Sequence, residues 1–284
     1  MQTFFNQATL SYNGNVITSN IVQGELIEVL SVDKTVTTAS YEPGDTVTYV
    51  VSIVNSGTTP YNGITVTDDL GGYDFNGTTV YPLDYIEGSA RLFVNGILQT
   101  TPVVTAGPPL VISGVSVPAN GNAVLVYSAT ANRFAPLGTV AVINNTATLP
   151  GQGITTAVTA EESLPVSESP VLSITKSLTP TSVPENGQLT YTFVISNYGA
   201  TEAVSTDNIV VTDTFDPILN PITVTYNGTV LEDGTDYTYD ETTGQFATVS
   251  GRITVPGATY TQDVTTGEYI ITPGTSTLTV TGTV

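Results

Sequence analysis

The chain repeats itself. Its only two lysines, Lys34 and Lys176, stand 142 positions apart in a sequence of 284 residues, and the segments around them can be laid on each other. Pro43-Gly44-Asp45-Thr46-Val47-Thr48-Tyr49 falls on Glu185-Asn186-Gly187-Gln188-Leu189-Thr190-Tyr191, and Asn55-Ser56-Gly57 falls on Asn197-Tyr198-Gly199. Further on, Ile64-Thr65-Val66-Thr67-Asp68 matches Ile209-Val210-Val211-Thr212-Asp213, with a small insertion between. Val117-Pro118 and the run to Ala131 match Thr272-Pro273 and the run to Val284. Whatever one repeat folds into must be built twice, each half having the length of a single domain.

Each repeat reads as sheet. Thr46-Val47-Thr48-Tyr49-Val50-Val51-Ser52-Ile53-Val54 and Thr190-Tyr191-Thr192-Phe193-Val194-Ile195 alternate with period two, as strands with one buried face do. Asn95-Gly96 and Asn227-Gly228 sit between such runs and mark hairpins, because the tight hairpin turn needs two residues at positive φ. No stretch carries apolar residues at helical spacing. Short strands with frequent turns predict an all-β chain of two tandem β-sandwich domains.

Composition removes whole classes of chemistry. With no cysteine and no histidine, the chain has no thiolate nucleophile, no imidazole base and neither of the commonest transition-metal ligands. Twenty-five acids against five bases give a net charge of −20, which disfavours nucleic acid and anionic membrane surfaces as partners. No apolar run has the length of a membrane span. The expectation is a non-enzymatic protein without cofactor or metal.

The two repeats are cut out of phase. Domain one continues past Ala131 into Val142-Ile143-Asn144-Asn145-Thr146-Ala147-Thr148-Leu149, a turn at Pro150-Gly151-Gln152-Gly153 and a further β-like run. Domain two stops at the equivalent of Ala131. The missing motif stands at the other end: Asn6-Gln7-Ala8-Thr9-Leu10 repeats the Asn-x-Ala-Thr-Leu of Asn145 to Leu149, followed by a turn at Tyr12-Asn13-Gly14-Asn15. A sandwich lacking a terminal strand leaves an open edge, and a strand from another chain can fill it. The division expected is a donor arm and linker at 1–30, domain one at 31–150, a β-rich linking segment at 151–170 and an incomplete acceptor domain at 171–284. Phe4, Asn6, Ala8, Leu10 and Tyr12 belong to the donor strand, with the apolar ones alternating into the core of a neighbouring acceptor. A head-to-tail contact of this kind that does not close yields a filament, so the expected partner is a second copy of the chain.

The lysine followed by a Pro-Gly-Asp-like turn, Val-Thr-Tyr, Asn-x-Gly, Val-Thr-Asp and a closing Asn-x-Ala-Thr resembles the bacterial and archaeal surface repeats catalogued as the eleventh domain of unknown function. That resemblance implies an immunoglobulin-like sandwich in a stalk, wall, surface-layer or appendage protein. It also implies a spontaneous lysine–asparagine isopeptide bond, which needs an uncharged amine, a carboxamide beside it and a carboxylic acid to shuttle protons. In domain one these are Lys34, Asn145 and Asp68, with Asn144 as the alternative carboxamide. In domain two Lys176 and Asp213 correspond, and the matching asparagine is Asn6 of a neighbouring subunit.

Other features carry less. The acidic stretch Glu232-Asp233-Gly234-Thr235-Asp236 with Asp240-Glu241 could offer oxygen ligands to calcium but lacks EF-hand spacing, and reads better as solvated loops. Met1-Gln2-Thr3-Phe4-Phe5 shows neither a basic n-region nor a long apolar run, so no secretory signal is visible. The function expected is a structural subunit of an extracellular filament, a pilus-like fibre or a spore appendage. The alternative is an adhesin or surface-layer stalk module that binds an unidentified host or surface ligand without polymerising.

Overall fold

The structure is a computed structural model that describes residues 2–150 and 157–284. It is built almost wholly of antiparallel strands, with one 3₁₀ turn at Ser205–Asp207. The Gly151-Gln152-Gly153 turn expected from the sequence lies outside the described residues. The chain divides into two compact units, one comprising residues 1–39, 44–132 and 144–164, the other 40–43, 133–143 and 165–284.

The first unit begins with an arm of four strands: β1 (Gln2–Asn6), β2 (Thr9–Tyr12), β3 (Asn15–Thr18) and β4 (Val22–Leu26). β2 pairs with β3 and β1 with β4, so the arm is a single hairpin with an irregularity midway along each leg. Asn13 and Gly14 close it at φ 44° and 81°, the left-handed pair that matches the natural twist of two strands. All residues from 3 to 23 are exposed, including Phe4, Phe5, Leu10, Val16 and Ile17. This is a long apolar hairpin without a core.

The rest of that unit is a sandwich. β5 (Leu30–Val36), β6 (Thr46–Asn55), β8 (Arg91–Val94), β9 (Ile97–Leu98) and β12 (Gly121–Ala131) form one sheet in the order β9-β8-β12-β6-β5, with Leu83–Tyr85 also on β12. The facing sheet runs β10-β11-β7-β13-β14, from β7 (Tyr61–Asp68), β10 (Val103–Thr105), β11 (Leu110–Val117), β13 (Val142–Leu149) and β14 (Val158–Pro165). The β-rich segment after residue 150 thus supplies an edge strand of this sheet. Period-two alternation holds along β6, where Val47, Tyr49, Val51 and Ile53 are buried and the residues between them are not. Each such side chain contributes on the order of 1.5–3 kcal/mol of burial. β7 is central, with Leu110 of β11 paired to Asp68 on one side and Ala147 of β13 on the other.

The second unit repeats the first sheet and abbreviates the second. β15 (Leu172–Thr179), β16 (Gln188–Asn197), β18 (Ile222–Tyr226), β19 (Thr229–Val230) and β22 (Gly274–Thr283) follow the order β15-β16-β22-β18-β19. The facing sheet is β17-β21-β20, from β17 (Thr212–Thr214), β20 (Tyr237–Tyr239) and β21 (Gln245–Thr248). β17, the counterpart of β7, pairs only with β21 among the described residues. Among the described residues this sheet has no counterparts of β13 and β14.

The repeated Asn-x-Gly is structural in both units. Asn55 accepts from the Gly57 amide at 3.0 Å and donates to the Pro118 carbonyl at 3.0 Å, while Asn197 accepts from Gly199 at 2.9 Å and donates to Thr201 at 2.8 Å. Both asparagines are buried and lock the loop that leaves the strand. The hairpins expected at Asn95-Gly96 and Asn227-Gly228 are present, each with both residues at positive φ.

Candidate functional site

The buried ionic groups of the first unit converge at one point. Lys34 faces inward from β5, Asp68 ends β7, Asn145 lies on β13, and all three are buried between the two sheets. Lys34 Nζ donates to Asp68 Oδ2 at 2.6 Å, with side-chain exposures of 0% and 1%. A charged pair without water is costly, and transferring the proton from ammonium to carboxylate removes both charges. Burial accordingly pushes the Lys34 amine below its ordinary value, against the opposing pull of Asp68.

Tyr127 connects the remaining member. Its hydroxyl donates to Asp68 Oδ2 at 2.6 Å and accepts from Asn145 Nδ2 at 3.2 Å. Asn145 Oδ1 and the Tyr49 hydroxyl are sealed from solvent and have no hydrogen-bond partner among the described residues. Tyr49 stacks on Tyr127 at 5.6 Å and lies 4.8 Å beneath the Lys34 amine, closing the site with aromatic surface. Burial raises both tyrosine hydroxyls above their ordinary value, Tyr127 further helped by the Asp68 carboxylate. An amine whose proton is weakened by burial, a carboxyl group and a carboxamide with an unsatisfied oxygen therefore share one buried site.

The sequence named three of these four residues. Tyr127 was missed because the repeats do not share it: Tyr127 pairs with Tyr49, whereas Val280 pairs with the equivalent Tyr191. The one available signal was position, an inward tyrosine on a period-two strand directly across from Tyr49. Asn144, the alternative carboxamide, is exposed and accepts from Ser163, since the next residue along a strand faces the other way. Asp69 accepts from the Gly71 and Thr146 amides, each at 2.9 Å, and holds the β7–β13 junction.

In the second unit the corresponding pair is open. Lys176 of β15 contacts Asp213 of β17, with side-chain exposures of 40% and 17%. The amine lies over the rings of Tyr191 at 4.4 Å and of Phe193 and Phe215, each at 5.5 Å. Among the described residues, no carboxamide of this unit takes the place of Asn145. Beside the pair runs a groove of about 330 Å³ lined by Leu172, Ile174, Ile195, Val210 and Val211 among others. Leu172, Ile174 and Val210 are exposed there. In the first unit β13 pairs with β7, the counterpart of β17. Of the proposed donor residues, Phe4, Asn6, Ala8, Leu10 and Tyr12 all lie exposed on the arm hairpin.

The acidic stretch is accounted for by local bonds. Asp236 pairs with Arg252 at 2.7 Å, and Asp240 is held at about 2 by the Thr242 hydroxyl and amide. Among the described residues no group of three or more acidic side chains is arranged to hold a metal ion.

No protein-family model and no curated protein sequence matches the chain. Several solved structures resemble it. BcpA, the major pilin subunit of Bacillus cereus, is 12% identical, with 97% of this chain and 73% of that one covered and a TM-score of 0.38. The pilus backbone RrgB from Streptococcus pneumoniae is 13% identical over 86% of this chain and 55% of that one, with a TM-score of 0.34. The full-length major pilin SpaD from Corynebacterium diphtheriae is 11% identical over 78% and 49%, with a TM-score of 0.37. The chain thus spans about half the length of RrgB and SpaD. No helix among the described residues is long and apolar enough to cross a membrane.

Proposed function

We propose that this protein is a structural, non-enzymatic subunit of an extracellular fibre, a pilus or spore appendage, joined head to tail by strand donation. One observation carries the reading: the same Lys–Asp pair is sealed in the first unit and open in the second. The elements that make the difference are β13 and β14. The arm carries their motif with nothing to cover its apolar side chains. An exposed edge and an exposed apolar strand are each a liability alone, and docking one on the other relieves both. Asn6 is the donor's counterpart of Asn145.

The sealed site supports a covalent cross-link. Lys34 Nζ, relieved of its proton by Asp68, attacks Cγ of Asn145. The Cγ–Nδ2 bond breaks, the amine gives up a proton by way of Asp68 to the departing nitrogen, and one ammonia leaves. The product is an amide joining β5 to β13, which belong to opposite sheets. The second of the two protons that the lysine loses stays on Asp68. The same reaction between Lys176 and Asn6 of the next subunit would make the fibre covalent.

Deleting residues 1–15 tests the reading. Loss of assembly with both sandwiches still folded supports it. A truncated protein that assembles as before refutes strand donation, and an intact chain that stays monomeric while binding a surface ligand favours the adhesin.

A further inference from the structure

We infer that the donor is the intact arm hairpin, not a single extended strand, and that it docks in one register with Ala8 opposite Asp213 and Thr9 opposite Thr212. The inference rests on the strand-donation reading and specifies its geometry.

The register follows from the first unit. There β13 pairs with β7 through Ala147 opposite Asp68 and Thr148 opposite Thr67. The Asn-x-Ala-Thr-Leu match places Ala8 on Ala147 and Thr9 on Thr148. The Val-Thr-Asp match places Asp213 on Asp68 and Thr212 on Thr67. Burial agrees along the whole strand: Ile143, Asn145, Ala147 and Leu149 are the buried residues of β13, and they correspond to Phe4, Asn6, Ala8 and Leu10. Three of these four arm residues are apolar, and the fourth is the carboxamide. A slip of one residue would turn all four out to solvent.

The hairpin follows from β14. In the first unit β13 is not an edge. β14 covers it, with Thr146 Oγ1 donating to Glu161 and Ser163 Oγ to Asn144 across the pair. In the arm, β3 and β4 already pair with β2 and β1 in the same antiparallel sense. The arm therefore carries both missing strands preassembled. Docking it whole adds two strands to β17 and leaves its ladder unbroken. A single-strand donor would first have to open that ladder, and would then present a fresh edge to solvent.

The chain has no cysteine, so introduced thiols report only the chosen positions. Ser11 and Val16 are cross-strand partners one step from the turn, a close pair in such a hairpin, and face away from the Leu10 side. Ser11→Cys/Val16→Cys locks the hairpin when oxidised. The expected result is equal assembly of the oxidised and reduced forms. Assembly of the reduced form alone overturns the hairpin donor. Register is read in an Asn6→Ala background, which removes any native cross-link. Chains with Thr9→Cys are mixed with chains carrying Thr212→Cys or Thr214→Cys. A reductant-sensitive intermolecular band with Thr212→Cys, at least tenfold stronger than with Thr214→Cys, is expected. The reverse preference overturns the register. Failure of the unmodified chain to assemble at all refutes strand donation itself, so the two failures are distinct.

Discussion

Four buried side chains meet in the first unit. Lys34, Asp68, Tyr127 and Asn145 form one connected buried set, and each has a separate consequence. If the amide forms, the intact mass of the wild-type chain falls by one ammonia. Asn145→Ala, Lys34→Arg and Asp68→Asn should each retain that ammonia. Closing the loop between Lys34 and Asn145, 111 positions apart, is worth about 4–5 kcal/mol by analogy with other loop cross-links. Asn145→Ala should therefore unfold at markedly lower denaturant concentration, and an unchanged midpoint would contradict the bond. Tyr127→Phe, which removes the hydroxyl tying Asp68 to Asn145, should slow ammonia loss after refolding while the sandwich still forms. The pH dependence has a definite sign. The Lys34 pKa is lowered in the folded state, so in unlinked Asn145→Ala the unfolded chain binds more protons between the lowered value and 10.5. The lysine's contribution to stability rises with pH through that window. In the wild type the rate of ammonia loss should rise with pH and level off below 10.5, as the neutral amine becomes fully populated.

At the scale of elements, the strands were legible and their grouping only partly so. Tyr49 and its neighbours announce β6 by alternation, and Asn95-Gly96 announces a hairpin by the positive φ that its turn demands. The Asn-x-Ala-Thr-Leu repeat was legible because the arm carries the residue pattern that β13 buries at Asn145, Ala147 and Leu149. The arm's second leg was not legible. β3 and β4 hold Asn15-Val16-Ile17-Thr18 and Val22-Gln23-Gly24-Glu25-Leu26, and β14 holds Val158-Thr159-Ala160-Glu161 and its continuation. An edge strand packs one face at most, so little in its sequence is fixed by burial. Tyr127 was hidden for a related reason, since its repeat partner is Val280. The hairpin turn carries its own prediction. Gly14 sits at φ 81° with open space around it, so Gly14→Val meets no clash but pays for the left-handed backbone by roughly 1–2 kcal/mol. Fibre growth should slow severalfold while the unfolding midpoint of the sandwiches stays put. An unchanged growth rate would argue that the turn is not kept in the fibre.

At the scale of the molecule, charge and repetition set the conditions of assembly. A subunit with net charge −20 repels its own copies, and the repulsion between exposed charges is screened within about 10 Å at 0.1 M salt. Elongation should therefore speed up as salt is raised from 10 to about 150 mM, and a slowdown would show that salt-sensitive pairs hold the joint. If Lys176 and Asn6 link covalently, boiling in detergent leaves a ladder, and complete release of monomer rules out that link. The proposed strand donation is the central claim: the arm at residues 1–26 is the donor and the open Lys176–Asp213 edge is the acceptor. Negative-stain microscopy of the purified chain, with and without an excess of a synthetic peptide of residues 1–26, tests it most directly. The expected images show thin unbranched fibres from the chain alone and short fibres or single subunits with the peptide, which occupies the acceptor. Dispersed single subunits without peptide, or fibres of undiminished length with it, would contradict the account.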